Sequence, residues 1–494
     1  MKDPFFWLLI ISLPLLYINV RPDHDWGGDF AQYIKQAENI ANGNPYFQTK
    51  YVFNEAAPVY GPPAYPPGFS ILLAPVVKVW GLSFQVLTIY QSVFLILFGL
   101  ISFGFFKKHF QTWLSVLLAL MMLYNPWILS FKSEIMSDIV FSFLFILTFY
   151  LYRFRKDNRL FRTTYLGLLI AFTILLRSIG LVLPLALTLR LLSDFIRGKW
   201  FNKTINKENR KFDISLLIFS VVIFALLKYI VFPLPLVSEA SYLNFLSEGF
   251  SLQGFLSNLS YYLLMIKNLF PTLSGEWIFL SILLSSFVIV LIFLGIARQA
   301  FSNPGFIDLV FAVYVLILLI YPYQGSGFRF LLPVFPFLMF YLVSGVKIIK
   351  TENQKVKEKT LLVFMLIALL TFAPGILNII KKQDTVKEGP HKPKSQEVFR
   401  FIKNNTNENA CIAFIRPRVL ALFTDRYSMG TKYQDSVQEI GKQYQKYDVD
   451  YILQMNLLYD NNVSNYISAN RENLELVFKN NDFNLYKMRT NSSE

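Results

Sequence analysis

Long apolar runs separated by short basic connectors fill the first three quarters of the chain, and a polar, alternating pattern takes over after Lys381. A helix needs about 20 mostly apolar residues to cross the hydrocarbon core of a bilayer. Runs of that kind lie at 4–20, 84–106, 111–130, 135–152, 163–177, 179–196, 213–236, 276–297, 306–321, 329–347 and 361–380, predicting about eleven spans. The pair 163–177 and 179–196 is short enough to form a tight hairpin. Residues 67–82 are apolar too, but their Pro-rich approach and short length predict a re-entrant or interfacial segment. Between the first two spans, Phe30, Tyr33, Ile34, Ala37, Ile40 and Ala41 recur at helical spacing. This predicts an amphipathic helix suited to the membrane surface, stopped by Gly43 and Pro45. A second such candidate runs from Phe255 to Phe270.

The tail reads as helix near 395–404, strand 410–415, helix 416–423, helix 433–446, strand 449–455, helix 459–470 and a hairpin ending at 484–488. Alternating strand and helix predicts a small α/β domain. The expected fold class is therefore an α-helical polytopic membrane protein with a small C-terminal α/β soluble domain. Residues 1–380 would form the transmembrane part, with outer loops 21–83 and 237–275, and 381–494 the extracytoplasmic domain.

Composition narrows the class. Of 494 residues, 54% are hydrophobic and 16% charged, with a mean hydropathy of +0.42. Soluble domains carry about 25% charged residues, so this chain cannot coat several soluble domains. Disorder, collagen-like repeats and a purely cytosolic enzyme are excluded. The net charge of +15 is confined largely to connectors, so it sets topology and does not call for nucleic acid. With the N-terminus inside, twenty Lys and Arg fall in the cytoplasmic connectors and eight in the opposite set. An odd number of spans then puts 381–494 outside. Residues 1–20 resemble a signal peptide, but no small-x-small cleavage site follows, which predicts a retained first span. One cysteine, Cys411, excludes an intrachain disulfide, and three distant histidines argue against a His-based metal cluster.

Candidate chemistry concentrates in the predicted outer connectors. Asp23-His24-Asp25-Trp26-Gly27-Gly28-Asp29 packs three carboxylates into seven residues just beyond the first span. A carboxylate there can deprotonate an acceptor hydroxyl or hold a metal or sugar; Asp29 can equally cap the helix it begins. Glu134 and Asp138 share one helical face at the start of the fourth span, where an ionisable group marks function or interfacial solvation. Arg177 and Arg329 break the inside bias, as phosphate-binding groups or as snorkelling anchors. Tyr65, in the rigid Tyr60-to-Phe69 segment, offers an aromatic face to a sugar or isoprenoid chain, or joins an interfacial belt. The chain contains no Gly-x-x-x-x-Gly-Lys-Ser/Thr, no His-Glu-x-x-His and no Gly-x-Ser-x-Gly.

Asp29-Phe30-Ala31-Gln32-Tyr33, Gly43-Asn44-Pro45-Tyr46, Tyr65-Pro66-Pro67-Gly68-Phe69, Ser133-Glu134, Leu176-Arg177 and Arg329-Phe330-Leu331-Leu332-Pro333 occur in this order. The set resembles GT-C-type membrane glycosyltransferases, in particular bacterial relatives of protein mannosyltransferases and aminoarabinose transferases. The tail, with Arg416-Pro417-Arg418 and Thr424-Asp425-Arg426, is similar to the soluble domain many of them carry. The resemblance implies a hexosyl- or pentosyltransferase of the bacterial inner membrane. It would move a sugar from a polyprenyl-phosphate-linked donor, among membrane lipids, to an acceptor at the outer face. It maps the base onto Asp29 by the Asp-x-x-x-Tyr spacing and the phosphate contact onto Arg329. Asp25 and Glu134 are further catalytic candidates; Arg177, Tyr33, Tyr65 and Asp138 are candidate substrate contacts. Many relatives have a paired Asp-Glu where Asp29-Phe30 stands, and Asp25 could supply the second carboxylate. No nucleotide cofactor is expected, a divalent metal stays open, and the acceptor is undefined. The alternative is a transporter or flippase of a lipid-linked or small polar substrate.

Overall fold

The computed structural model describes residues 3–57, 65–154, 158–200, 207–233, 251–268, 278–302, 305–321, 327–348, 354–382, 386–431, 435–458 and 461–489. Among these, eight helices are long and apolar enough to cross a membrane, and a ninth span arises if a bent pair counts as one. Pro4–Leu16 and Phe306–Ile320 are shorter apolar helices, so helix covers most of each of the eleven predicted segments. Parts of 234–236 and 276–277 lie outside the described residues, as does most of the loop 237–275 before helix Leu252–Asn268.

The chain divides into two compact units. The first comprises Met1–Val20, Thr88–Val231 and Phe245–Asp384 and is helical. Its centre is the span Gly327–Val346, 78% buried in protein, whereas Lys207–Val231 and Leu361–Lys382 are each 11% buried and present their apolar surface outward. That contrast follows from composition. A central helix can be apolar all round, and a lipid-facing helix must be so on its outer side. Close backbone packing joins Ile278–Ser302 to Phe335–Val346. A Cβ on Gly295 would lie 1.9 Å from the Tyr341 carbonyl oxygen, and one on Gly345 equally close to that of Leu291. Small residues permit this approach where lipid supplies no hydrophobic drive between helices.

One span is broken. Helix Thr112–Leu123 meets Pro126–Glu134 at 42°. The break has a local cause: the Asn125 side-chain Oδ1 accepts from the Trp127 and Ile128 amides, and Pro126 starts the next helix where no N–H is needed. Helix Ser137–Phe154 then carries polar groups at both ends. Asp138 and Tyr152 are separated by about 20 Å of helix rise. At the Tyr152 end its hydroxyl donates to Asp213 at 2.7 Å, and Arg190 contacts both Tyr152 (2.7 Å) and Asp213 (3.3 Å).

The second unit comprises Arg21–Leu87, Phe232–Asn244 and Thr385–Glu494. Its sheet contains β1 Tyr51–Val52, β2 Cys411–Phe414, β3 Tyr427–Met429, β4 Val449–Met455, β5 Leu474–Lys479 and β6 Phe483–Met488. They run in the order β1-β3-β2-β4-β6-β5, parallel through β4 and antiparallel beyond. The predicted tail elements are present; β3 and the two-residue β1 are additional.

The first loop is thus part of the α/β unit, where a boundary at 380 placed it with the spans. Its amphipathic helix, Asp29–Ala41, buries Phe30, Tyr33, Ile34 and Ala37. The apolar stripe faces helices Gly68–Trp80 and Pro417–Thr424, not a membrane surface. Trp26 sits edge-on to Phe399, Phe414 and Phe483 at 6.0–6.2 Å, inserting the loop into the tail's core. Lys35 and Lys50 both pair with Asp425, and Asn54 donates to the Gly430 carbonyl and the Gln443 side chain.

Gly295→Ala and Gly345→Ala should each lower the stability of the detergent-solubilised chain by about 1–3 kcal/mol through overpacking. Gly305→Ala, whose Cβ would meet only an Asp308 oxygen at 3.6 Å, should leave the thermal midpoint near wild type. Equal midpoints for all three variants would contradict the helix packing.

Candidate functional site

In the helical unit, four predicted residues come together. The broken span ends in Lys132-Ser133-Glu134, and Ile135 follows in the left-handed region at φ +49°. That conformation is costly for a β-branched residue. The turn is held by Gln91, whose side-chain amide donates to the Met136 carbonyl at 2.7 Å. It is held also by Lys132, fully buried, which donates to the Leu15 carbonyl (3.0 Å) and the Ser92 hydroxyl (2.6 Å). Such over-determination is what keeps a strained turn in place.

Opposite the turn stands the segment Gly327–Val334. Gly327 begins it at φ +61°, a conformation that suits glycine, and its amide donates to the Tyr261 hydroxyl at 2.6 Å. The Tyr314 hydroxyl donates to the Phe330 carbonyl at 2.8 Å. Arg329, fixed between these anchors, brings Nη1 to 2.9 Å from the Met136 sulfur. Glu134, Met136, Arg329, Trp127 and Met265 line a cavity of about 390 Å3, within the range of small-ligand sites. Beside it, buried Asp138 holds Arg177 at 2.5 Å. The guanidinium carbons of Arg177 and Arg329 each lie 5.3 Å from the Phe330 ring centre. Two cations lie against one aromatic ring, with a carboxylate fixed to one of them and another in the cavity wall. The arrangement can accept an anion carrying an apolar tail.

In the α/β unit, Gly28 is the N-cap and Asp29 the first residue of its helix, where the macrodipole favours a carboxylate. Asp29 Oδ1 accepts from the Tyr65 hydroxyl at 2.7 Å and from Arg418 Nη1 at 2.9 Å. Tyr33 packs edge-on to Tyr65 with ring centres 5.2 Å apart. Asp25 is engaged elsewhere, accepting from the Gly27 amide at 2.8 Å with His24 Nδ1 3.0 Å away. The His24 contact, opposed by burial, lowers its pKa to about 2. His24 and Asp25 do present an imidazole nitrogen and a carboxylate oxygen close together, two ligand types that divalent metals use. The segment 58–64 leading to Tyr65 lies outside the described residues.

Arg418 is the site residue that sequence reading missed. It was visible within Arg416-Pro417-Arg418, and its position offers a signal: a cation in the first turn of a helix opposes the macrodipole.

A bundle of apolar spans with ionic groups near both ends of one helix, in one chain with an α/β unit, is the architecture of a multi-pass membrane protein. Residues 29–491 match the family described as "Predicted membrane protein (DUF2079)", and the chain belongs to that family. No curated protein matches it in sequence. Among solved structures it is similar to the apo oligosaccharyltransferase of Archaeoglobus fulgidus, with 11% identity and a TM-score of 0.60 over 92% of this chain and 69% of that one. The same archaeal enzyme, AglB, in complex with an inhibitory peptide and a dolichol-phosphate gives 11% identity and 0.57 over the same shares. ArnT from Cupriavidus metallidurans bound to undecaprenyl phosphate gives 10% identity and a TM-score of 0.56, covering 97% of each chain. At these identities the likeness carries the fold.

The depressed pKa of Asp25 fixes the sign of a pH effect. A carboxylate more acidic folded than unfolded contributes stability above its ordinary pKa of 3.8 and loses it as pH falls to about 2. The stability difference between wild type and Asp25→Asn should therefore shrink as pH falls across that interval in denaturant titrations. A difference independent of pH would contradict the His24–Asp25 pairing.

Proposed function

We propose that this chain is a glycosyltransferase of the bacterial inner membrane that moves a sugar from a polyprenyl-phosphate-linked donor to an acceptor at the outer face. The observation carrying the proposal is the cavity lined by Glu134, Met136 and Arg329, flanked by the Asp138–Arg177 pair. It offers fixed positive charge and apolar walls where an isoprenoid phosphate would need both. The fold it shares with ArnT bound to undecaprenyl phosphate and with AglB bound to a dolichol-phosphate supports the same donor class. The basic bias of alternate connectors supports a cytoplasmic N-terminus and an outer C-terminal domain.

In this reading the acceptor hydroxyl gives its proton to the Asp29 carboxylate, and the acceptor oxygen forms a bond to the anomeric carbon. The bond from that carbon to the phosphate oxygen breaks, and its electron pair leaves with the polyprenyl phosphate. Arg329, assisted by Arg177, neutralises the charge that develops on the phosphate. Glu134 lines the cavity beside Arg329, while in the α/β unit Tyr33 and Tyr65 frame Asp29 and offer aromatic surface to the sugar or its carrier. A divalent cation, if the reaction uses one, would find two ligands in His24 and Asp25.

The full chain in lipid vesicles, supplied with polyprenyl-phosphate-linked sugars, should release polyprenyl phosphate. Asp29→Asn should reduce release by about 10²–10⁴-fold, the range of a general base, without loss of membrane insertion. Arg329→Ala should reduce it more than Arg329→Lys, which keeps the charge but loses the planar fork. Movement of intact lipid-linked sugar across the bilayer with no release would sink the transferase reading in favour of a flippase.

A further inference from the structure

Arg418 is only 6% exposed. It is the second residue of helix Pro417–Thr424, which starts just past the C-terminal end of β2, the edge where α/β sheets commonly place functional groups. A buried guanidinium carries a desolvation penalty of several kcal/mol unless its partners are well placed, and its helix position adds to that penalty. Partners that hold it come from the first loop. Nη1 donates to Asp29 Oδ1 and to the Tyr65 hydroxyl, which itself donates to the same Asp29 oxygen. The guanidinium carbon lies 4.8 Å from the Tyr65 ring centre and 5.4 Å from that of Tyr51 in β1.

We propose that Arg418 is a positioning residue for the transfer reaction: it keeps the Asp29 carboxylate ionised and fixes its rotamer, so that the C-terminal segment supplies part of the machinery of the first loop. The proposal rests on the reading of Asp29 as the base.

A neighbouring contact separates positioning from simple docking. Lys35, on the helix that Asp29 begins, pairs with Asp425 at the end of the Arg418 helix at 2.9 Å. It therefore ties together the same two elements without touching Asp29 Oδ1. The charged and titratable groups on the elements packed around Asp29 include Tyr33, Lys35 and Glu38 on its own helix, Arg416, Arg418 and Asp425 on Pro417–Thr424 and its caps, Lys78 at the exposed far end of Gly68–Trp80, and Tyr65 and Tyr51. Of these, Arg418 and Tyr65 reach the Asp29 carboxylate.

The test uses the full chain in vesicles and follows polyprenyl phosphate release from a panel of polyprenyl-phosphate-linked sugars across pH. Arg418→Met should lower kcat about 10–100-fold and move the acid limb of kcat/KM upward by about one to two pH units, the effect of removing an adjacent guanidinium from a carboxylate. Donor KM should stay within about twofold, since the donor phosphate is assigned to other residues. Arg418→Lys should keep the acid limb near wild type with intermediate kcat. Lys35→Met should lower the thermal midpoint and leave the limb in place. If Arg418→Met does not accumulate in membranes, Tyr65→Phe, which deletes a donor to the same oxygen, should still raise the limb, by less. An inactive Asp29→Asn combined with an unmoved limb in Arg418→Met or Tyr65→Phe overturns the positioning role while leaving the base in place. Full release by Asp29→Asn removes the base reading itself, and the role of Arg418 falls with it.

Discussion

A charge removed from water must find its counter-charge somewhere on the chain, and the location of that partner dictates which segments fold together. In the α/β unit the dependency is between Asp29 and Arg418. Arg418, buried, could not be left unpaired without a cost comparable to a good part of a domain's stability. The pairing therefore selects the arrangement in which helix Asp29–Ala41 lies against Pro417–Thr424. The sheet is consistent with it: β1, ten residues beyond that helix, adds to the edge formed by β3. Trp26 closes the same junction among three phenylalanine rings. Polar pairing defines the register of the junction, and apolar burial supplies most of its free energy.

The helical unit obeys the same rule at two levels. Helix Ser137–Phe154 is held near its start by Asp138 with Arg177 and near its end by Tyr152 with Asp213 and Arg190. A strut pinned at both ends cannot slide along its axis, so the turn before it keeps its geometry. That turn contains an isoleucine in a conformation it would not choose, and it delivers Glu134 and Met136 to the cavity wall. Strain at a cavity wall, stabilised by hydrogen bonds on either side, is how a fold holds reactive groups apart from their own preferred contacts.

How much of this could be read from the sequence depends on the range of the interactions concerned. The spans were legible because lipid imposes a length and a composition that each segment satisfies by itself. Glu134, Asp138, Arg177 and Arg329 stood out because charges are rare in such surroundings, and they do gather in one region of the bundle. The helix at Asp29 was legible, its partner was not: an amphipathic stripe states that it will be covered and is silent about what covers it, so a membrane surface was the expectation and protein the outcome. β1 is two residues long, too short for any periodicity, and exists only through hydrogen bonds to residues near 428. Arg418 lay in plain view within a noticed motif, yet its meaning depends on an acid 389 positions earlier. Asp25, which looked equivalent to Asp29 by composition, differs because its nearest donors are its own neighbours.

The joining of β1 to β3 has a consequence for biosynthesis. A ribosome adds about 5–20 residues per second, so residue 51 leaves the tunnel on the order of tens of seconds before residue 428. During that interval the early segment has an unsatisfied strand edge and an uncovered greasy face, the kind of species that recruits chaperones or aggregates. Chains interrupted between residues 383 and 426 would retain every candidate span yet be unable to complete this assembly. Quality control acting on the nascent protein therefore has a natural checkpoint in the arrival of its final hundred residues.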